Sequence, residues 1–351
     1  MSSGYSTFRR GGMYRKCASF PCRALVLTGA LLLTASVSAT DRRQPGASDA
    51  PLQQALEQLA VRARPGILGV TVLDVGTGTA IRVNAGRSYP MMSVFKAPVA
   101  ATVLAQIDAG SLSLDQKVKI DSKDVEGGSA VPSIGARFSG EQMTFTVRQL
   151  LTAAVSESDN TAADALVRLV GGPKVVTEFL RAHGIDGMGV DLDEAGIAAI
   201  FEETQHGEFI SPRETDQQAL ARHRRGYSAY LQDPRNSTTP DAAADFLEKL
   251  WKGRLLSADS TKRLLDLMYG QTVPARLRSG LPADARFADK AGTSYSLDGE
   301  TAAFNDIGII SEPNGRTVIV AAFLTASYAD KKQRDVLFAE IAKDVSATPA
   351  R

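Results

Sequence analysis

Strand-forming runs stand at opposite ends of this chain, with helical patterns between them. Near the N-terminal end, Gly69-Val70-Thr71-Val72-Leu73-Asp74-Val75 is apolar and β-branched, Gly76-Thr77-Gly78 supplies a turn, and residues 79–83 return, so a hairpin is predicted. Near the other end, Phe287-Ala288-Asp289-Lys290 enters a strand. Residues 306–311 and 317–325 form a second hairpin around Pro313-Asn314-Gly315. A lone hairpin is marginal in water. The runs therefore complete one sheet from distant segments, and the helical middle packs beside it as an insertion. A site is expected at the seam between the two.

The helices follow from apolar spacing and end signals. Residues 51–64 carry Leu52, Ala55, Leu56 and Leu59 on one face. A helix through Ser93 is expected to run to about Asp108, where Gly110 stops it. Residues 121–142 are rich in Gly, Ser and Pro and predict an irregular loop. Helices are predicted over 146–156, 161–170 and 174–183, the last opened by Pro173. Residues 187–239 have a poor pattern, with Arg222, Arg224 and Arg225 beside Tyr227 and Tyr230, and predict no regular element. Further helices are expected at 239–251, 257–268 and 331–345. The chain shows no internal repeat.

The chain has 351 residues, with 44% hydrophobic, 23% charged and a formal net charge of +1. That length supports a large core. The charge gives no reason to expect nucleic acid or an anionic membrane as a partner. A single Trp offers no stacking platform. At the N-terminus, Arg9, Arg10, Arg15, Lys16 and Arg23 precede a weakly polar-to-apolar run over 24–37, followed by Val37-Ser38-Ala39. This predicts a signal peptide over residues 1–39 and a periplasmic or secreted product. The run is too short to span a bilayer stably, so no membrane insertion is expected after cleavage. Arg9-Arg10 hints at twin-arginine export, with flanks that fit poorly. Both cysteines, Cys17 and Cys22, lie in this segment, so the mature chain has no disulfide and no thiol nucleophile. With only His183, His206 and His223, a multi-His metal site is hard to build. No metal, no organic cofactor and a monomer are expected.

Three short motifs carry the chemistry. Ser93 and Lys96 are three apart, which puts hydroxyl and amine on one helix face. A serine needs a nearby base to become nucleophilic. Alone this pair is weak evidence. Ser158-Asp159-Asn160 follows at a helix end, and Lys290-Ala291-Gly292-Thr293 lies in the strand near the C-terminus. The three together, in this order, form a recognised acyl-transfer set.

With these residues in place, the chain resembles class A serine β-lactamases, within the wider group of penicillin-binding proteins. The resemblance covers most of the mature chain. It includes Tyr89-Pro90-Met91-Met92-Ser93 through Lys96, Ser158-Asp159-Asn160-Thr161-Ala162-Ala163, Gly171-Gly172-Pro173-Lys174, Asp289 through Thr293, and the hairpin over 309–325. It implies an α+β fold: an antiparallel sheet flanked by helices, built from residues 40–92 and 241–351, plus an all-helical domain over 93–240 containing an expanded loop over 187–239. It also implies Ser93 as nucleophile and Lys96 as base or proton relay, with Ser158 passing a proton to the departing nitrogen. Asn160 would hold the substrate amide, and Lys290, Gly292 and Thr293 its carboxylate and oxyanion. Asp159 would be structural.

Three departures from the family pattern stand out. Ala291 replaces the usual hydroxyl residue. The usual strand Arg is missing at Ile307-Gly308, and Arg276 falls where some relatives supply that guanidinium, as a carboxylate ligand; its other reading is an exposed solubilising Arg. Counting from Gly184 puts Glu194 at the position of the deacylating carboxylate, but Ala198 where an Asn helps hold the water. Leu192 and Asn236 replace the ion pair that braces the family's loop. Glu202, Glu203 and Glu208 remain alternatives to Glu194.

The resulting expectation is an enzyme that hydrolyses β-lactams through an acyl-serine intermediate. Two alternatives stay open: a penicillin-binding sensor or trap that deacylates slowly, and a D-Ala-D-Ala peptidase-like serine hydrolase.

Overall fold

The computed structural model describes residues 46, 49–204, 214–273 and 276–348. The expected signal peptide, His206 and Glu208 lie outside the described residues. The central sheet is antiparallel and contains six strands: β1 (Ile67–Asp74), β2 (Ala80–Val83), β7 (Arg286–Thr293), β8 (Ser296–Leu297), β9 (Glu300–Ser311) and β10 (Thr317–Ser327). Their order is β2-β1-β10-β9-β7, with β8 paired to β9. One row across the sheet runs Val72, Val320, Gly308, Asp289. The first hairpin thus joins strands from the far end of the chain, as the sequence predicts.

The sheet is covered on both faces, and period-two alternation shows how. Val318, Val320, Ala322 and Leu324 of β10 belong to a core with Leu56 of α1 (Ala50–Arg62) and Phe338 and Ile341 of α10 (Lys331–Ala347). Ile319, Ala321 and Phe323 belong to a second, larger core shared with the other helices. Strands buried on both faces lose the polar alternation, which is why these runs are almost wholly apolar. At the centre of the larger core lies α2 (Lys96–Asp108), buried continuously from Lys96 through Leu104. Around it stand α3 (Val147–Ser156), α4 (Asn160–Val170) and α5 (Pro173–Ala182). They are joined by α8 (Pro240–Trp251), which packs on β1 and β10, and α9 (Ala258–Tyr269), which packs on β7.

Two regions depart from the sequence expectation. The irregular loop over 121–142 is bounded by paired strands, β4 (Lys117–Asp121) and β5 (Gln142–Thr146). Both alternate polar and apolar residues strictly, Val118 and Ile120 in one and Met143 and Phe145 in the other, a strand signal that the reading of 121–142 as loop passed over. More important, the poorly patterned stretch over 187–239 contains two helices, α6 (Glu194–Phe201) and α7 (Asp216–Gln232). Helix α7 buries only Gly226, Tyr227 and Tyr230, so it lacks an apolar stripe. A Thr215–Gln218 capping box starts it, and arginine ion pairs to neighbouring segments hold it. Such a helix is set by side-chain pairing that periodicity does not reveal. A short pair, β3 (Tyr89–Pro90) with β6 (Ser237–Thr238), ties the end of this region to the turn before Ser93.

Candidate active site

Ser93 stands in a held turn. The Met91 amide donates to Asn236 O at 2.9 Å, and Asn305 Nδ2 donates to the carbonyls of Pro90 (2.8 Å) and Met91 (3.1 Å). Met92 takes a left-handed φ of 46°, which costs a non-glycine residue energy unless its surroundings fix it. A 3₁₀ turn over Met92–Phe95 then leads into α2, so Ser93 opens a helix, where backbone N–H groups lack intrahelical partners.

Lys96 is fully buried, and its three ammonium hydrogens meet three oxygens. They are Ser158 O at 2.8 Å, Asn160 Oδ1 at 2.6 Å and Glu194 Oε1 at 2.9 Å. Ser93 Oγ donates to the same Glu194 Oε1 at 3.5 Å. Glu194 therefore links hydroxyl and amine, where the three-residue spacing alone suggests direct contact. Among the described loop carboxylates considered, Glu194 is the one at Ser93. Glu202 and Glu203 instead pair with Arg222, His223 and Arg225.

The second motif joins α3 to α4. Asp159 caps α4, accepting from the Ala162 amide at 2.8 Å, and its other oxygen accepts from the Ile134 amide at 3.0 Å. This buried carboxylate thereby pins the 121–142 loop, and burial raises its pKa. Ser158, left-handed at φ 58°, turns its carbonyl to Lys96 and its hydroxyl to Lys290. Asn160 is tied down at three points: Nδ2 to Gly127 O (2.7 Å), its amide to Ser129 Oγ (2.8 Å) and Oδ1 to Lys96.

Glu194 begins α6, and the chain fixes that helix start from two sides. Asp164 of α4 accepts from the Glu194 amide (2.7 Å) and the Ala195 amide (3.0 Å), while Asp193 caps the helix through the Gly196 amide. Burial, with the charges of Asp193 and Glu194 nearby, raises the Asp164 pKa well above the carboxylate range. The segment before α6 is braced without an ion pair. Asn236 Oδ1 accepts from the amides of Asp191 (2.7 Å) and Leu192 (2.8 Å), and its Nδ2 donates to Leu192 O at 2.9 Å. The residues at the two expected ion-pair positions thus still meet, through an amide and a backbone. Ala198 is exposed on α6 and offers no polar group.

The fourth wall is β7. Lys290 Nζ is fully buried and donates to Ser158 Oγ and to Ala291 O, each at 3.0 Å. Burial, then the charge of Lys96, lowers its pKa well below the usual lysine value. Gly292 allows the strand to touch the nucleophile turn: a Cβ there would lie 2.5 Å from Met91 O and 3.1 Å from the Ser93 amide nitrogen. Thr293 is exposed toward solvent.

Arg276 is buried, which corrects the reading as a solubilising surface Arg. It donates to the carbonyls of Gly292 and Asn305 and to Thr293 Oγ1, and its guanidinium lies 4.2 Å over the Phe304 ring. Behind it, Asp289 pairs with Arg278 at 2.6 Å, and Asp306 Oδ2 accepts from the Leu277 amide at 3.2 Å. Burial raises Asp289 to about 6 and, with the charge of Asp289, raises Asp306 to about 8.

Sequence reasoning missed Asn305, Asp164 and Ser129. A polar Asn305-Asp306 pair inside an otherwise apolar buried strand was the available signal for the first. Asp164 and Ser129 give no local signal, because their partners are backbone groups distant in sequence. Among the described residues, no group of three or more His, Cys, Asp or Glu side chains is arranged to hold a metal, and no helix is long and apolar enough to cross a membrane.

Comparisons with known proteins give the family and the fold. A family model described as the beta-lactamase enzyme family matches residues 51–348. The chain is 31% identical to the extended-spectrum beta-lactamase PER-1 of Pseudomonas aeruginosa over 319 residues, 91% of this chain and 92% of that one. Among solved structures, a beta-lactamase from Chitinophaga pinensis DSM 2588 aligns with TM-score 0.72 and 31% identity, covering 84% of this chain and 98% of that chain. An ancestral class A beta-lactamase aligns with TM-score 0.68 and 34% identity, covering 84% and 98%.

Proposed function

The chain belongs to the β-lactamase enzyme family, and from that membership we propose a residue-level route by which it hydrolyses β-lactams. Ser93 Oγ attacks the lactam carbonyl carbon and loses its proton to the adjoining Glu194–Lys96 pair, whose Glu194 Oε1 its hydroxyl bonds, with Lys96 the base that remains when Glu194 is replaced by Gln. The ring C–N bond breaks. Ser158 hands its proton to the departing nitrogen and is reprotonated from Lys290, to which it is hydrogen-bonded. The oxyanion rests on the backbone N–H groups of Ser93 and Thr293, which the close approach at Gly292 supports; such donors are often worth about 3 kcal/mol in the transition state. The proton taken from Ser93 is then released to solvent, from which Lys290 regains the one it gave up, and Glu194, as the free carboxylate, takes a proton from water, which attacks the ester carbonyl. Ser93 leaves with a proton, and the opened acid departs.

Lys96 lies 2.9 Å from Glu194 Oε1 and holds that carboxylate in place. Asn160 presents its amide to the substrate side chain. The substrate carboxylate meets the Thr293 hydroxyl, oriented by Arg276, and the positive field of Lys290. This arrangement offers a substitute for the hydroxyl missing at Ala291. No metal or organic cofactor has a part in this route.

One observation carries the reading: Glu194 Oε1 lies 3.5 Å from Ser93 Oγ and 2.9 Å from Lys96 Nζ. It favours turnover over a trap, because a carboxylate is in place to activate water. The N-terminal pattern supports export to the periplasm or medium. A monomer acting on a small soluble substrate completes the proposal.

Steady-state hydrolysis of a chromogenic cephalosporin tests it. Wild type is expected to turn over many times. Ser93→Ala is expected to lose activity by about three orders of magnitude or more. Full activity in Ser93→Ala would refute the nucleophile. A burst with no further turnover in wild type would favour the trap, and cleavage of a D-Ala-D-Ala peptide alone would favour the peptidase.

A further inference from the structure

Helix α7 touches the nucleophile turn, the Glu194 helix and the β8–β9 turn at once. Tyr230, 3% exposed, directs its hydroxyl to Met92 Sδ at 2.7 Å, on the residue before the nucleophile. Its ring lies 4.1 Å, centroid to centroid, from Phe201, the last residue of the helix that Glu194 begins. Gly226 brings the two helices into backbone contact, since a Cβ there would overlap the carbonyls of Ile200 and Phe201. Arg222 donates to the Glu202 carbonyl and carboxylate at the end of α6. Arg224 grips Asp298 in the β8–β9 turn through two hydrogen bonds, at 2.6 and 3.0 Å.

These contacts complement the amide brace. Asn236 and Asp164 fix the N-terminal end of α6 and the segment before it. Its C-terminal end rests on α7. Met92 is held in a left-handed conformation that it does not favour, and the buried Tyr230 hydroxyl bonds to its side chain. A buried hydroxyl is costly to retain where only packing is needed, since a phenyl ring fills the same space without a polar atom.

We propose that α7 is a positioning element of the hydrolytic step, with Tyr230 as its positioning residue, keeping the Ser93 turn and the Glu194 helix in register. The inference rests on the reading of Glu194 as the deacylating base. Acylation is helped by release of the strain in the four-membered ring, whereas the ester of the intermediate carries no such strain. Deacylation needs the carboxylate, a water and the ester carbonyl aligned together, and a displacement of an ångström costs on the order of a hundredfold.

The test compares wild type, Tyr230→Phe, Arg222→Ala and Glu194→Gln with one penicillin, reading acylation by stopped flow, adduct lifetime by intact mass, and thermal melting. Tyr230→Phe and Arg222→Ala are expected to acylate within about twofold of wild type and to release roughly tenfold more slowly. Their kcat and KM should then fall together, leaving kcat/KM nearly unchanged. Wild-type release in both variants, with Glu194→Gln stalled, overturns the inference and leaves the reading of Glu194 intact. Equal slowing of both steps with a lowered melting temperature also overturns it, because α7 would then only support the fold. Wild-type release in Glu194→Gln defeats the underlying reading instead.

Discussion

The most consequential single charge in the cleft is the Lys290 ammonium. Burial and the neighbouring Lys96 both disfavour its protonated form, so its pKa lies below the ordinary lysine value of 10.5. The sign follows directly. As pH rises, this charge is lost earlier than on a solvated lysine, and with it goes the field that attracts the substrate carboxylate. We expect kcat/KM for a carboxylated β-lactam to fall on the alkaline side, and Lys290→Arg to move that limb to higher pH while losing part of the binding. A pH profile of kcat/KM checks this; an unmoved limb would assign the titration elsewhere. Gly292 is the other decisive residue. Its missing Cβ leaves room for Met91 O and the Ser93 amide, so Gly292→Ala should lower kcat about a hundredfold or more by separating the two oxyanion donors. Near-normal kcat in this variant would mean that the strand does not supply one of them.

Elements differ in how well they announced themselves. The strands of the sheet were legible because burial on both faces leaves long apolar runs, and α2 because Ser93, Lys96 and Gly110 mark its course. Ser158 and Lys290 were legible as motif members, and the structure brings their side chains to 3.0 Å. The segment carrying Glu194 was the hardest. Its brace is an amide bonded to backbone, and α7 is held by ion pairs between residues that no periodicity connects. Neither the pairing of Asn236 with Leu192 nor that of Asp164 with the start of α6 leaves a pattern along the chain. Arg276 could be placed by its distance from Lys290, yet only the fold reveals that it is buried beneath Thr293. At this scale the brace itself is testable. Asn236→Ala removes three hydrogen bonds at a 1% exposed position and should destabilise the protein by about 2–4 kcal/mol. Asn236→Asp keeps the two acceptor contacts but buries a carboxylate with one oxygen facing the Leu192 carbonyl, so it should also destabilise the protein. Denaturant unfolding of both variants decides whether the brace contributes as stated; equal stability of Asn236→Ala and wild type would not be compatible with it.

For the whole molecule, the sheet does more than carry the motifs. Its β7–β9 edge buries Asp289, Asp306, Lys290 and Arg276 together, and among the described residues Asp306 Oδ1 has no hydrogen-bond partner. Asp306 is raised from 3.8 to about 8 by burial and by the charge of Asp289. Between those pH values the folded state binds more protons than the unfolded chain, so this group makes stability decline as pH rises through the window. Asp306→Asn should flatten that decline, which thermal melts across the pH range can read; an unchanged slope would show that Asp306 ionises normally. The central claim is that an ester forms at Ser93 and that Glu194 releases it. Peptide mapping by mass spectrometry of Glu194→Gln, quenched after mixing with a penicillin, tests it most directly. The prediction is a lasting adduct on the peptide containing Ser93, absent from Ser93→Ala and short-lived in wild type. An adduct on another residue, or no adduct in Glu194→Gln with product still forming at the wild-type rate, would contradict the account.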